Sequence, residues 1–329
     1  MRILLIVVVA LTLAALAGYL MTVRESAASE AANPPDGHMV LVSGGRLHLV
    51  DTGPEDAPPE RTIVLIHGAS ANHLDMMLAL GDKLKEHYRV IAPDRPGHGW
   101  SERPDGRADS SPARQATLIA EALEKRGVKR AIFVVHSWSG ALGGWLALNR
   151  PDLVAGMVML APVTHPWPGG VAWYYGVTVN PWVGNLFTNV LVTPIGSLSI
   201  ESGIGGVFTP QAPPPDYGKK IGARLLLRPA EFRANAEDVY DLLPFVTRQA
   251  RDYEAIKVPL TIIAGDADPV VSTQIHSMAL AKQVEGSKLI VLPGMGHMPH
   301  HMASELVIKE IDAMSDKASK PAVHATAPE

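Results

Sequence analysis

The sequence predicts an α/β fold, a mostly parallel sheet with helices on both faces, from three observations. Short apolar, β-branched runs alternate with amphipathic helical stretches up to about Leu160, and the alternation resumes at Pro259. Those runs, such as Thr62–Ile66 and residues 132–135, are nearly continuous in their apolar character rather than alternating, as expected of strands covered on both faces. Between the two halves, residues 162–256 are rich in Pro, Gly and aromatic side chains and carry no strand pattern, which reads as a folded, mainly helical insertion.

The chain opens with an almost unbroken apolar run, residues 3–23, between Arg2 and Arg24. Its length suits a helix that crosses a bilayer. We read residues 1–24 as an uncleaved transmembrane anchor; the alternative is a cleaved signal peptide, for which Ala15-Leu16-Ala17 resembles the cleavage signature. The flanking charges put the N-terminus inside and the folded part on the extracytoplasmic side. Residues 25–38, small and polar with Pro34-Pro35, read as a flexible linker.

The core is expected over residues 39–161 and 257–314. Residues 39–42 and 47–51 flank Ser43-Gly44-Gly45-Arg46 and predict a hairpin at an antiparallel edge. Thr62–Ile66 is the next strand and ends in His67-Gly68-Ala69-Ser70; helical spacing follows through Leu74, Met77 and Leu84. Residues 88–92 form a strand closed by Asp94 to Ser101, and Ser111-Pro112 then opens a helix that stops at Gly127. A strand at 132–135 passes directly into a helix from Gly140, and 153–160 is a further strand. After the insertion come strand 259–265, a helix through Ile275 and Met278, strand Lys288–Leu292 and a last helix near 302–314. The polar tail, residues 315–329 with Pro321 and Pro328, is expected to be disordered.

Composition excludes several chemistries. The net charge of −4 argues against a nucleic-acid surface. The absence of cysteine removes disulfides, thiolate nucleophiles and Cys-type zinc sites. The expected partners are a small-molecule substrate and, through the first residues, a membrane; no cofactor and no metal are expected.

The chemistry centres on Ser137. A strand that turns straight into a helix strains the corner residue and points its side chain outward, beside free N–H groups at the helix start. A plain helix cap is the other reading of such a serine. The surrounding stretch, Val134-Val135-His136-Ser137-Trp138-Ser139-Gly140, resembles the G-x-S-x-G nucleophile elbow of the α/β-hydrolase superfamily, with Val135 and Ser139 at its small positions. That resemblance implies an α/β-hydrolase fold with a cap insertion and a Ser-acid-His order along the chain. It assigns the acid to Asp268 in Gly265-Asp266-Ala267-Asp268, with Asp266 as alternative or turn residue, and the base to His297 in Gly294-Met295-Gly296-His297. It also assigns the oxyanion-hole donors to the backbone N–H groups of Ala69 and Trp138.

Around these residues the remaining candidates read as support. His67 reads as structural, Ser70 as a solvated loop hydroxyl, and Asp94 and Arg95 as braces of their loop. His300 and His301 could join His297 in a metal site, but no carboxylate or cysteine pattern accompanies them, so exposed positions at the start of the last helix are expected. Haloalkane dehalogenases and epoxide hydrolases in the superfamily carry aspartate at the elbow, whereas this chain carries serine. The resemblance therefore implies a serine hydrolase of the carboxylesterase or lipase type, cleaving an ester or related acyl bond of a largely apolar substrate. A carbon–carbon bond hydrolase or perhydrolase-like relative is the alternative, and a membrane-tethered binding protein without turnover is the reading from another class.

Overall fold

The computed structural model describes residues 1–319. Its centre is an eight-stranded sheet in the order β1-β2-β4-β3-β5-β6-β7-β8. The strands are β1 (His38–Val42), β2 (Gly45–Thr52), β3 (Thr62–Ile66), β4 (Arg89–Pro93), β5 (Ala131–His136), β6 (Val154–Leu160), β7 (Leu260–Gly265) and β8 (Lys288–Leu292). β2 pairs antiparallel with β1 and β4, and every later pair is parallel. The α/β architecture expected from the alternation is the one observed.

Strands β3 to β7 are buried along their whole length, and their side chains divide by parity between two apolar cores. Val64, Ile66, Phe133 and Val135 face one core, against Leu118 and Leu142 from the helices Pro112–Lys125 and Ser139–Asn149. Ile63, Leu65, Ile132 and Val134 face the other, against Leu80 and, from the helix Ser304–Ala318, Val307 and Ile311. Continuous apolar runs are thus what two covered faces require. Between β6 and β7 every regular element among the described residues is helical, the longest being Thr193–Phe208 and Pro229–Gln249.

Two expectations need correction. The last helix continues to Ala318, so residues 315–318 are ordered, and residues 320–329 lie outside the described part. More consequentially, residues 25–32 are not a flexible linker: one helix of 31 residues runs from Arg2 to Ala32. Ala and Glu favour helix there, and the small residues Gly18, Thr22, Ser26 and Ser29 recur at helical spacing. That stripe faces the insertion, where Thr22 and Ser29 are buried. Glu30 pairs with Arg228 at 3.2 Å, and Glu25 lies 3.7 Å from Arg224. Two of the polar residues of this stretch, Glu25 and Glu30, thus face arginines of the insertion from an ordered helix.

The short connection after the helix is itself fastened. Trp100 Nε1–H donates to the Asn33 carbonyl at 3.1 Å, and the Gly37 N–H donates to His48 Nε2 at 3.1 Å. His73 Nε2–H donates to Asp36 at 3.0 Å, and its Nδ1–H donates to Asp94 at 2.9 Å. Burial alone would lower the His73 pKa, but Asp94 and Asp36 together hold it up to about 10, so the ring is an imidazolium at neutral pH.

A group whose folded pKa is raised above its unfolded value gives stability that is fully present below the unfolded pKa and lost as pH rises through the folded one. For His73 that loss falls between about pH 6.5 and 10. Denaturant unfolding of the wild type should show declining stability across this window, and His73→Gln, which cannot ionise, should show a flatter profile. Equal slopes for the two proteins would contradict the assignment.

Candidate active site

Ser137 occupies the corner between β5 and the helix Ser139–Asn149 with φ of +52°. Residues with a Cβ rarely adopt that conformation. Backbone bonds on three sides enforce it: the Ser137 N–H donates to the Leu160 carbonyl at 2.9 Å. Its own carbonyl accepts from Gly140 at 2.8 Å and Val163 at 2.9 Å. Val135 sits where a small residue usually lets strand and helix cross. Here the space comes from the helix instead, since a Cβ on Gly143 would lie 2.9 Å from Val135 Cγ2. Ser139 Oγ–H donates to the His67 carbonyl at 2.6 Å and ties the ends of β3 and β5 together.

The loops after β7 and β8 bring two further candidates to Ser137. His297 Nε2 lies 2.9 Å from Ser137 Oγ, and its Nδ1 lies 2.7 Å from Asp268 Oδ2. The other Asp268 oxygen accepts the N–H groups of Val270 at 2.8 Å and Val271 at 2.9 Å, which fixes the carboxylate. Asp266 does something else: it accepts the Gly294 N–H at 2.6 Å and braces the histidine loop from an exposed position. The insertion braces that loop as well, because Gln211 accepts the Gly296 N–H at 2.9 Å and donates to the Gly294 carbonyl at 2.7 Å. His136 donates to the His297 carbonyl at 3.0 Å from beneath.

Ala69 and Trp138 border the same cavity as Ser137. Among the described residues, neither backbone N–H donates to a protein acceptor. The loop that carries Ala69 is held by a residue that the sequence did not single out: Asn235 accepts the Ser70 N–H at 2.7 Å and donates to Ser70 Oγ at 3.1 Å. Ser70 is exposed, as expected, and its hydroxyl also accepts from Asn235. Its φ is +56°, and its partner Asn235 comes from the insertion.

Beneath the cavity lies a buried guanidinium. Arg95 donates to Asp238 at 2.7 Å, to Gln115 at 2.9 Å and to the Gly68 carbonyl at 3.0 Å. Its charge rests on the face of Trp138, 4.0 Å from the ring centroid. Trp138 Nε1–H in turn donates to the Asp238 carbonyl at 2.9 Å. His67 accepts the Arg95 N–H at 3.0 Å and donates Nδ1–H to Gly68 at 2.9 Å. Burial, with the Arg95 charge beside it, pushes its pKa down to about 3, so it stays neutral and holds the loop.

His300 and His301 are not exposed, contrary to expectation. His300 is fully buried and donates to Asp75 at 3.1 Å; His301, half-buried, donates to the same carboxylate at 2.7 Å. Tyr217 adds a third bond at 2.7 Å. Burial would raise the Asp75 pKa, but the two histidines hold it well below the usual carboxylate range. The carboxylate that the sequence lacked near these histidines thus arrives from the helix after β3. Asp75, His300 and His301 have the donor types of a metal site, as do His48, His73 and Asp94. Hydrogen bonds within each group already satisfy the carboxylates.

The cavity over Ser137 has a volume of about 1170 Å³ and is mainly apolar, with Tyr174, Phe187, Leu191 and Phe232 of the insertion in its wall. A hydroxyl, an imidazole and a carboxylate in hydrogen-bond series, beside free N–H groups, can move a proton and receive negative charge on an oxygen.

The model of the alpha/beta hydrolase family matches residues 63–310. A haloalkane dehalogenase from Psychrobacter cryohalolentis is 28% identical over 226 residues, covering 62% of this chain and 69% of its own. A hydrolase from Pseudomonas aeruginosa superposes with a TM-score of 0.68 at 21% identity, over 86% of this chain and 99% of its own. A putative aryl esterase from Burkholderia cenocepacia gives a TM-score of 0.68 at 19% identity, over 85% and 98%.

Asn235→Leu should leave the Ser70 N–H and hydroxyl without partners beneath the insertion. Stability by thermal unfolding should fall by about 0.5–1.5 kcal/mol. An unchanged midpoint would show that Asn235 does not hold this loop.

Proposed function

Because the chain belongs to the alpha/beta hydrolase family, we propose that it is a serine hydrolase that cleaves an ester or related acyl bond through an acyl-enzyme. The observation that carries this reading is the series Ser137 Oγ to His297 Nε2 at 2.9 Å and His297 Nδ1 to Asp268 at 2.7 Å, opening into an apolar cavity. In this reading Ser137 Oγ attacks the acyl carbonyl and its proton passes to His297 Nε2. Asp268 holds the Nδ1–H and stabilises the imidazolium, while the Ala69 and Trp138 N–H groups receive the oxyanion. The leaving group departs with the proton, and water, deprotonated by the same imidazole, releases the acid.

Serine also bears on the dehalogenase relatives. Displacement of a halide by a serine oxygen would leave an alkyl ether, which water does not cleave under mild conditions. An acyl ester on the same oxygen is readily hydrolysed. The nucleophile therefore favours acyl transfer, and the apolar wall favours an acyl or aromatic group. Residues 3–23 hold the enzyme at a membrane in this reading, with the domain on the extracytoplasmic side.

A fluorophosphonate probe should label Ser137 alone, and Ser137→Ala should abolish labelling without lowering the unfolding temperature. Labelling that persists in this variant would overturn the nucleophile. With p-nitrophenyl esters, Asp268→Asn should lower kcat by up to about ten-thousand-fold, whereas Asp266→Asn, which only braces the loop, should cost far less. The reverse ranking would move the acid to Asp266.

A further inference from the structure

We propose that the insertion segment around Gly184–Phe208 sits in the bilayer beside the N-terminal helix, and that the cavity draws its acyl group from a membrane lipid ester. The inference rests on the serine-hydrolase reading for the bond that is cleaved, and on the packing of the two helices for where the substrate comes from.

The packing sets a common level for both elements. The N-terminal helix exposes its apolar side chains from Ile3 to Val23, and it is long and apolar enough to cross a membrane. The stretch Gly184–Phe208 meets the same criterion of length and composition. Val190 lies against Gly18, where an added Cβ would meet the Val190 carbonyl at 2.5 Å. Thr193 and Ser197 border one small cleft with Glu25 and Ser26. The two segments therefore run side by side in the same direction. Gly18 precedes Val23 by a rise of about 7 Å along the helix axis, so Val190 lies inside the apolar level. Residues before Val190 lie deeper.

Exposed apolar side chains run along the whole segment: Trp182 is 88% exposed and Leu186 63% before Val190, Leu191 44% and Leu198 89% after it, and residues 182–200 carry no charge. In water such a patch is costly; at the depth of the apolar run it meets hydrocarbon. The polar contacts fall at the other end of the shared face, where Glu25 and Glu30 meet Arg224 and Arg228. The uncharged stretch 182–200 thus lies beside the N-terminal helix near the end of its apolar run, and the ion pairs of that helix lie beyond the run.

The same segment walls the cavity. Phe187, Leu191 and Ile195 line it, and Leu191 and Ile195 are also exposed. A mouth of the cavity therefore opens on the face that meets lipid, with Ser137 inside. An acyl chain can pass from hydrocarbon to apolar wall without crossing water.

The chain has no cysteine, so single labels can be placed without background. The full chain is reconstituted in phosphatidylglycerol vesicles with a fluorophore on Leu186→Cys or, as reference, on Lys129→Cys, an exposed residue at the turn before β5. Nitroxides on the lipid chains should quench the first label and spare the second; equal quenching would overturn the proposal. Trp182→Asp with Leu186→Asp, neither of which lines the cavity, should lower fatty-acid release from the vesicles by about tenfold. Turnover of soluble p-nitrophenyl butyrate should stay unchanged. Lipid release that is also unchanged would overturn the proposal, and if both activities fall the quenching result decides. Butyrate turnover that survives Ser137→Ala would instead defeat the serine-hydrolase reading and leave the quenching result standing.

Discussion

A buried guanidinium needs partners, and Arg95 finds those of its two terminal nitrogens in three separate parts of the chain. A charge removed from water is tolerated only where hydrogen bonds and an opposite charge replace hydration. Gly68 offers a carbonyl from the loop after β3, Gln115 an amide from a core helix, and Asp238 a carboxylate from the insertion. Because Trp138 lies under the same charge and donates to the Asp238 backbone, the residue next to Ser137 is registered against the insertion too. The cavity exists in its present shape because these elements cannot shift independently without orphaning that charge.

The sheet was legible because its signal is local. A strand buried on both faces has to be apolar at successive positions, and β3, β5 and β7 say so in their own residues. The proposed reactive residues were legible for a related reason: each stands where a strand ends, so the strand reading places it. What stayed hidden depends on partners distant in sequence. Nothing near His300 and His301 announces Asp75, and nothing in Pro229–Gln249 shows that Asn235 and Asp238 face inward rather than to solvent. The polarity of residues 25–32 suggests solvation, yet the stretch is helical and packed. Ser, Ala and Glu also suit a helix whose polar side faces arginines, and only the packed partner separates the two cases.

Histidine use follows the same division. His297 meets a hydroxyl at the cavity wall, where a proton has somewhere to go. His67 is kept neutral by burial, and His73 is kept charged by two carboxylates; neither state changes near neutral pH. Rings that serve as fixed donors or acceptors are thus separated, by their surroundings, from the ring proposed to exchange a proton.

The continuity of the N-terminal helix has a consequence for how this chain tolerates change in length. A disordered tether absorbs insertions at little cost, because its ends are related only by reach. A helix packed along one stripe relates its ends by phase: each residue added or removed turns everything beyond it by about 100° and moves it by about 1.5 Å. Between Gly18 and Ser29 a single-residue change would point Glu30 away from Arg228, whereas a change of seven would nearly restore the angle. Length variation in this stretch should therefore be resisted, most of all between whole turns, because even seven residues, which nearly restore the phase, displace the far contacts by about 10 Å along the axis.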